Sequence, residues 1–257
     1  MNRTGNSKKN PYDPGTFEKG VKERIKQFSK DESFKALAKK WFSVSFAKGY
    51  AHNFSWFGLP VIQAPQDIMA MQELIFRIKP DLIIETGVAR GGSLVFYASL
   101  LFLLGGKRNV VGIDININKE NKVNTDRVWK HPLGKLITMI EGSSVDPLVF
   151  KKVKKIANRY KKVLVCLDSS HTHSHVLSEL EIYSKLVSLG SYLVVFDTFV
   201  EQVPRNIIGA KPWGKGNNPA TAVKLFLSKN KNFVVDKDIE GKIIATSNPG
   251  GFLRRVK

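Results

Sequence analysis

Five short apolar runs in this chain each finish at or beside an acid, and longer amphipathic segments separate them. DLIIE carries Glu85, NVVGID carries Asp114, KLITMIEG carries Glu141, KVLVCLDSS carries Asp168 and SYLVVFDT carries Asp197. Such runs of Val, Ile and Leu suit strands buried on both faces. Strands alternating with helices predict an α/β fold, a Rossmann-like, doubly wound and mostly parallel sheet. Ligands of such a sheet bind outside the carboxyl ends of its strands. The five acids therefore share one edge, and they repel one another there unless cations, hydroxyl donors or a metal satisfy them.

The intervening segments read as helices. Ile68, Met71, Ile75 and Ile78 recur at helical spacing, and LVFYASLLFLL, residues 145–160, 175–189 and 220–229 are further candidates. NFVVDKD and KIIATS, joined through Ile239-Glu240-Gly241, predict a C-terminal antiparallel hairpin. Residues 1–50 read as a basic N-terminal arm, loose to about residue 30, and a helical extension; residues 51–257 form the main domain. AHNFSWFGLPVIQAP reads as an ordered loop over the core or over a site.

Of 257 residues, 41 are Lys or Arg and 22 are Asp or Glu, a net charge of +19. A basic surface attracts nucleic acid, anionic lipid or an anionic substrate. Lysines on solvated helix faces, such as KKVKK at 151–155, give the same balance with no partner. Aromatics are not interleaved with the basic residues, so nucleic acid is not the expected partner. The single cysteine, Cys166, excludes a disulfide framework and a cysteine-rich zinc site. With no apolar signal core at the N-terminus and no run of ~18 apolar residues, a cytoplasmic protein without a membrane span is expected. Peripheral membrane contact stays open.

Three constellations carry chemistry. Glu85-Thr86-Gly87-Val88-Ala89-Arg90-Gly91-Gly92-Ser93 joins a strand to a helix, and Gly87, Gly91 and Gly92 allow close backbone approach. The spacing is neither the dinucleotide fingerprint nor a phosphate-binding loop with Gly-Lys-Ser/Thr. It resembles the first motif of S-adenosylmethionine (SAM) methyltransferases, in which the loop lies along the amino-acid part of SAM; a tight turn with no ligand reads the same way. Asp114 ends the second strand, where that fold places an acid on the two ribose hydroxyls; a solvated strand end or a helix cap is the plainer reading. Gly142 and Ser143 follow Glu141 at the place of the adenine, and Ser144 also suits a helix cap.

The third constellation is Asp168-Ser169-Ser170-His171, with His173 and His175 behind it and Asp197 on the next strand end. Two carboxylates on adjacent strand ends suit a hard divalent cation such as Mg²⁺. A histidine three residues after one of them suits a general base. Three histidines within five residues also admit zinc or iron. His173 and His175 read as structural residues at a helix start.

LIIETGVARGGSLVFYASLL, DSSHTHSHVLSELE, SYLVVFDT and PWGKGNNPATAV together resemble the cephalosporin hydroxylase / rhamnosyl O-methyltransferase family, over about residues 50–255. The resemblance implies a SAM-dependent methyltransferase fold, often with a divalent metal and homo-oligomeric assembly, and includes enzymes acting on sugar hydroxyls. The Asp168-x-x-His171 spacing is also similar to that of metal-dependent macrolide-sugar O-methyltransferases. That similarity implies Asp168 as metal ligand and His171 as base, so that His171 and Asp168 are the catalytic pair. The implied SAM contacts are Glu85, Thr86, Gly87, Gly91, Gly92, Ser93, Asp114, Gly142, Ser143 and Asp168; the implied metal ligands are Asp168 and Asp197. The chain departs from the pattern in one place. Related metal sites carry a Glu-Asp pair where this chain has Phe196-Asp197, so the metal shell is thinner, recruits Glu201, or is absent. No iron-oxygenase triad is present, so hydroxylation is not expected.

The function expected is SAM-dependent O-methylation of a sugar hydroxyl in a glycan or secondary metabolite, assisted by a metal. A nucleic-acid methyltransferase and a non-catalytic SAM-binding partner are the alternatives. Phe54–Phe57 and the loop Trp213–Pro219 are expected to flank the acceptor.

Overall fold

A computed structural model describes residues 12–257. Seven strands form one sheet: β3 (Leu82–Thr86), β4 (Asn109–Asp114), β5 (Ile137–Glu141), β6 (Val163–Leu167), β7 (Tyr192–Val195), β8 (Phe233–Val235) and β9 (Phe252–Arg255). A two-stranded hairpin, β1 (Ser55–Trp56) and β2 (Leu59–Pro60), precedes them. The sheet order is β5-β4-β3-β6-β7-β9-β8, parallel from β5 to β7 and antiparallel at β7/β9 and β9/β8. The direction of winding reverses between β3 and β6, so the loops after those strands flank the crevice where such sheets bind ligands.

The helices are α1 (Pro14–Phe28), α2 (Glu32–Ala47), α3 (Pro65–Ile78), α4 (Gly92–Leu104) and α5 (Lys122–Lys130), then α6 (Pro147–Ala157), α7 (His173–Tyr183), α8 (Arg205–Ile208), α9 (Pro219–Lys229) and α10 (Lys237–Ile243). Proline opens α1, α3, α6 and α9, where its missing N–H costs nothing. Both faces of the sheet are covered. Ile83, Val110, Leu164 and Val194 pack on one side with α3 and α4, and Leu82, Ile84, Val111, Val165 and Leu193 on the other with α6, α7 and α9. Every residue of β3 and β6 is buried, which is why these strands read as unbroken apolar runs. KKVKK does form the outer part of α6, its lysines exposed and Val153 buried.

Four details differ from the sequence reading. The C-terminal hairpin exists, but β8 pairs with Phe252–Arg255 and not with KIIATS. Asp236 accepts the backbone N–H groups of Asp238 and Ile239 and so starts α10, which takes up Lys242 and Ile243. The early arm is helical from residue 14, because Asp13 caps α1 and Ile25 packs against Gly241 of α10; the first eleven residues lie outside those described. Between β4 and β5 the chain forms α5, whose weak apolar pattern gave no signal. Asp146, not Ser144, caps α6. Among the described residues no helix is long and apolar enough to cross a membrane.

Candidate active site

Along the carboxyl edge the acids stand in the order Glu141, Asp114, Glu85, Asp168 and Asp197. Their environments differ sharply. Glu141 is exposed and accepts from Asn118 N and Nδ2 at 3.2 and 2.7 Å, which lowers its pKa. Asp114 Oδ2 accepts the N–H groups of Val88 and Ala89 at 2.8 and 3.3 Å, and Oδ1 that of Asn116 at 2.9 Å. It therefore clamps the glycine-rich loop to β4 and stands at a cleft of about 510 Å³, lined by residues that include Ile62, Ala89, Arg90 and Asn121.

Glu85 is fully buried. Ser93 Oγ donates to its Oε2 at 2.6 Å, while Oε1 has no partner. Burial pushes its carboxyl up to about 8, against the pull of Ser93 and Tyr97. A buried acid with one unpaired oxygen, between the glycine loop and Asp168, suits a cationic ligand group.

The glycines of the loop serve packing in this conformation. Gly91 and Gly92 are buried, and a Cβ on Gly92 would lie 2.1 Å from the Pro60 carbonyl oxygen. Gly87 has φ +87°, and a Cβ there would stand 2.0 Å from the Asp168 carbonyl oxygen. Thr86 is buried as well, and its carbonyl accepts the Asp168 N–H at 2.9 Å. Thr86 and Gly87 thus fix where the β6 carboxyl end sits. Gly87→Ala forces the two strand ends apart and puts a side chain at positive φ. It is expected to destabilise the protein by about 2–4 kcal/mol, read from urea unfolding. Wild-type stability in that variant would show that the contact is dispensable.

Asp168, His171 and Asp197 come together: one ligand atom from each lies within 4.8 Å of the others. His171 Nε2 is 3.4 Å from Asp197 Oδ2, and the His171 ring meets the edge of Trp213 with centroids 5.3 Å apart. Burial, then the Asp197 and Glu85 carboxylates, pushes the Asp168 carboxyl up. Asp197 has a left-handed backbone, φ 55°, which is strained for a residue other than glycine. The Oδ1 of fully buried Asn248 accepts its N–H at 3.0 Å and holds that geometry.

Phe196 is turned into the core and supplies no ligand. Nor does Glu201 replace it: its Oε2 accepts from Gly216 N and Asn218 Nδ2 and ties down the 214–218 loop. His175 is held by Ser144 and Ser169 hydroxyls at 3.0 and 3.1 Å, and His173 Nδ1 pairs with Thr221 Oγ1 at 2.8 Å, so both are structural. Gly142 receives no side chain because Val149 fills the space, and its N–H donates to the Asp114 carbonyl. Ser143 stays part-exposed beside it. Trp213 reaches His171, whereas Trp56 is held by Phe96 and Ser99 of α4, and Phe57 meets His131.

The sequence reading missed Gln63, Asp67, Asn116, Asn121 and Asn248. The asparagines of GIDININKENKVN gave a signal, a cluster of amides directly after a strand end. Gln63, Asp67 and Asn248 gave none.

The family model for rhamnosyl O-methyltransferase/CmcI matches residues 48–256. The rhamnosyl O-methyltransferases of Mycobacterium tuberculosis (strain ATCC 25618 / H37Rv) and Mycobacterium bovis (strain BCG / Pasteur 1173P2) are each 30% identical over 217 residues, 82% of this chain and 83% of theirs. Among solved structures, an apo CmcI superposes with a TM-score of 0.57 at 19% identity, over 80% of this chain and 77% of that one. A CmcI complex with Mg and SAM gives 0.54 at 18%, over 80% and 78%. At that identity the superpositions speak for the fold; the match of the family model, with the 30% identity over most of both chains, carries the conclusion that the chain belongs to the rhamnosyl O-methyltransferase/CmcI family and is an enzyme of the SAM-dependent O-methyltransferase class.

Proposed function

We propose that this protein transfers the methyl group of SAM to a hydroxyl of a sugar, a rhamnosyl unit being the first acceptor to try, with a divalent cation such as Mg²⁺ assisting. The observation that carries the reading is the convergence of Asp168, His171 and Asp197 beside the glycine loop and Asp114. Two carboxylates with an imidazole within 4.8 Å suit a divalent cation held by the carboxylates and a base beside it. Orphaned buried atoms on Glu85, Gln63 and Asn248 around the same strand ends also suit a site with its ligands in place. Related proteins support both cofactors, since a CmcI structure is a complex with Mg and SAM.

In this reading Asp114, at the edge of the cleft, would hold the ribose hydroxyls of SAM, and the Glu85 strand end its cationic amino-acid part. Asp168 and Asp197, with His171 near by, would hold the cation, which when bound lowers the cost of removing the hydroxyl proton. Asp197 beside Nε2 favours the imidazole tautomer with its hydrogen there. Nδ1 then carries the lone pair that accepts the acceptor proton. The oxygen takes the methyl group as the S–CH₃ bond breaks, and the sulfonium leaves as a neutral thioether. Trp213, stacked edge-on against His171, offers an apolar face to a sugar ring and excludes water. Because the site stands on rigid strand ends, alignment supplies much of the acceleration.

The test is formation of demethylated SAM with a synthetic rhamnoside acceptor. Product is expected with acceptor and Mg²⁺, to fall at least tenfold after exhaustive chelation, and to return on adding Mg²⁺. Absence of SAM binding by calorimetry would overturn the proposal. Full activity after chelation would remove the cation from it.

A further inference from the structure

We propose that the outer face of α2 docks on an anionic lipid surface, the helix lying along the membrane rather than crossing it. Phe34, Leu37, Trp41 and Val44 recur at intervals of three and four residues and so share one face of the helix. All four are exposed, Leu37 by 64% and Val44 by 50%. A neighbouring face of the same helix meets the core through Ala38 and Phe42, and that face fixes α2 to the fold. The stripe continues into neighbouring rings. Phe28 meets Phe34 with centroids 5.4 Å apart, Trp41 meets Tyr50 at 5.7 Å, and Tyr50 meets Phe54 at 5.1 Å. Contiguous exposed apolar surface of this kind marks an interaction site.

Charge selects the occupant. Lys30 and Lys48 bracket the stripe, Lys40 flanks it, and all three are exposed. The acids beside it, Asp31 and Glu32, are already engaged. Asp31 caps α2, accepting the Phe34 N–H at 2.9 Å, and Glu32 pairs with Lys35 at 2.9 Å. From residue 33 to residue 66 the sequence holds no Asp or Glu. Two copies of this face set against each other would bring lysine to lysine with no acid to answer, which disfavours a second copy of the chain. An anionic bilayer answers both halves of the pattern. Its phosphates take the ammonium groups, and its acyl boundary takes Leu37 and Val44. Trp41 and Tyr50 then stand at the polar interface, where amphipathic rings settle.

The face also lies close to the chemistry. Phe42 packs edge-on against Phe199, with centroids 4.5 Å apart, and Phe199 stands two residues after Asp197. A protein seated through α2 therefore keeps the Asp197 strand end close behind the docked helix. The inference is independent of the cation and of the acceptor's identity.

The test is flotation of the full chain with vesicles of phosphatidylcholine alone, or mixed equally with phosphatidylglycerol, at low and high salt. Flotation is expected with the anionic vesicles only, and to fall about tenfold or more as salt is raised to about 1 M. The triple variant Leu37→Gln, Trp41→Gln, Val44→Gln should lower it by about tenfold or more, with melting temperature and SAM affinity unchanged, because the three side chains are exposed. Lys30→Gln, Lys40→Gln, Lys48→Gln should do the same. No flotation of the wild type would overturn the proposal. So would wild-type flotation of the apolar variant, since charge elsewhere on a chain of net +19 would then suffice. A lipid-free dimer, seen by sedimentation of the wild type and lost in the apolar variant, would assign the face to a second copy and overturn it too. A melting temperature lowered in the apolar variant would make the stripe part of the fold and overturn its docking role.

Discussion

Replacing His171 by alanine is expected to lower methyl transfer by about 10²- to 10⁴-fold while SAM affinity stays within about twofold. The size follows from what the side chain supplies. A sugar hydroxyl is a poor nucleophile at neutral pH, and an imidazole placed to take its proton removes that obstacle. His171 stands at the entry to α7, three residues after Asp168, with Asp197 at 3.4 Å and Trp213 at its edge. His171 is not among the residues that line the cleft beside Asp114, so SAM binding is expected to tolerate its loss. Single-turnover rates with a methyl-accepting rhamnoside and SAM calorimetry on the same variant check both halves. Wild-type turnover in His171→Ala would leave an enzyme that works by proximity alone. Loss of SAM affinity would move His171 into the cofactor site.

Glu85→Gln should abolish one of the large pH dependences of the protein's stability. The carboxyl stands at about 8 in the folded protein against 4.5 for the free side chain, with burial as the main cause. A folded-state value above the unfolded one means that the folded protein holds the proton more tightly. The stability is therefore fully present below pH 4.5 and is lost as pH rises through about 8. The shift of roughly 3.5 units corresponds to about 5 kcal/mol at alkaline pH. Asp67, raised to about 6 by burial, works in the same direction between pH 3.8 and 6. The informative quantity is therefore the difference between wild type and Glu85→Gln. It should be near zero at pH 4 and reach several kcal/mol in favour of the variant at pH 9, read from urea unfolding without SAM. Cationic SAM should close part of that gap in wild type by favouring the ionised carboxylate. A difference that does not change with pH would show Glu85 ionised throughout and its burial offset by other groups.

The strands were legible because a sheet covered on both faces demands unbroken apolar runs, and β3, β4, β6 and β7 have them. The hairpin partner was misread because KIIATS has the β-branched content of a strand. Asp236 as cap, and the packing of Gly241 on Ile25, fold its first two residues into α10 instead. FLRR, half of it charged, pairs as β9 because the neighbouring strand β7 offers it a free edge. Helix α5 escaped notice because few of its residues need burial.

What the sequence determined by itself is what neighbours along the chain can do: the alternation of buried strands with helices, the acid at each strand end, the Asp168-x-x-His171 spacing and the glycine loop. Those features depend on local periodicity and on a fixed side of the sheet, and both are properties of short segments. The tertiary structure alone decided which acids meet. The parallel register of β6 and β7, Leu167 opposite Val195, carries Asp197 to within 3.4 Å of His171. Gln63, Asp67 and Asn248 join from segments far away in sequence, and their polar side chains carry no local pattern. Burial decides their role, because a hydrogen-bonding group shut away from water must find its partners wherever the fold brings them.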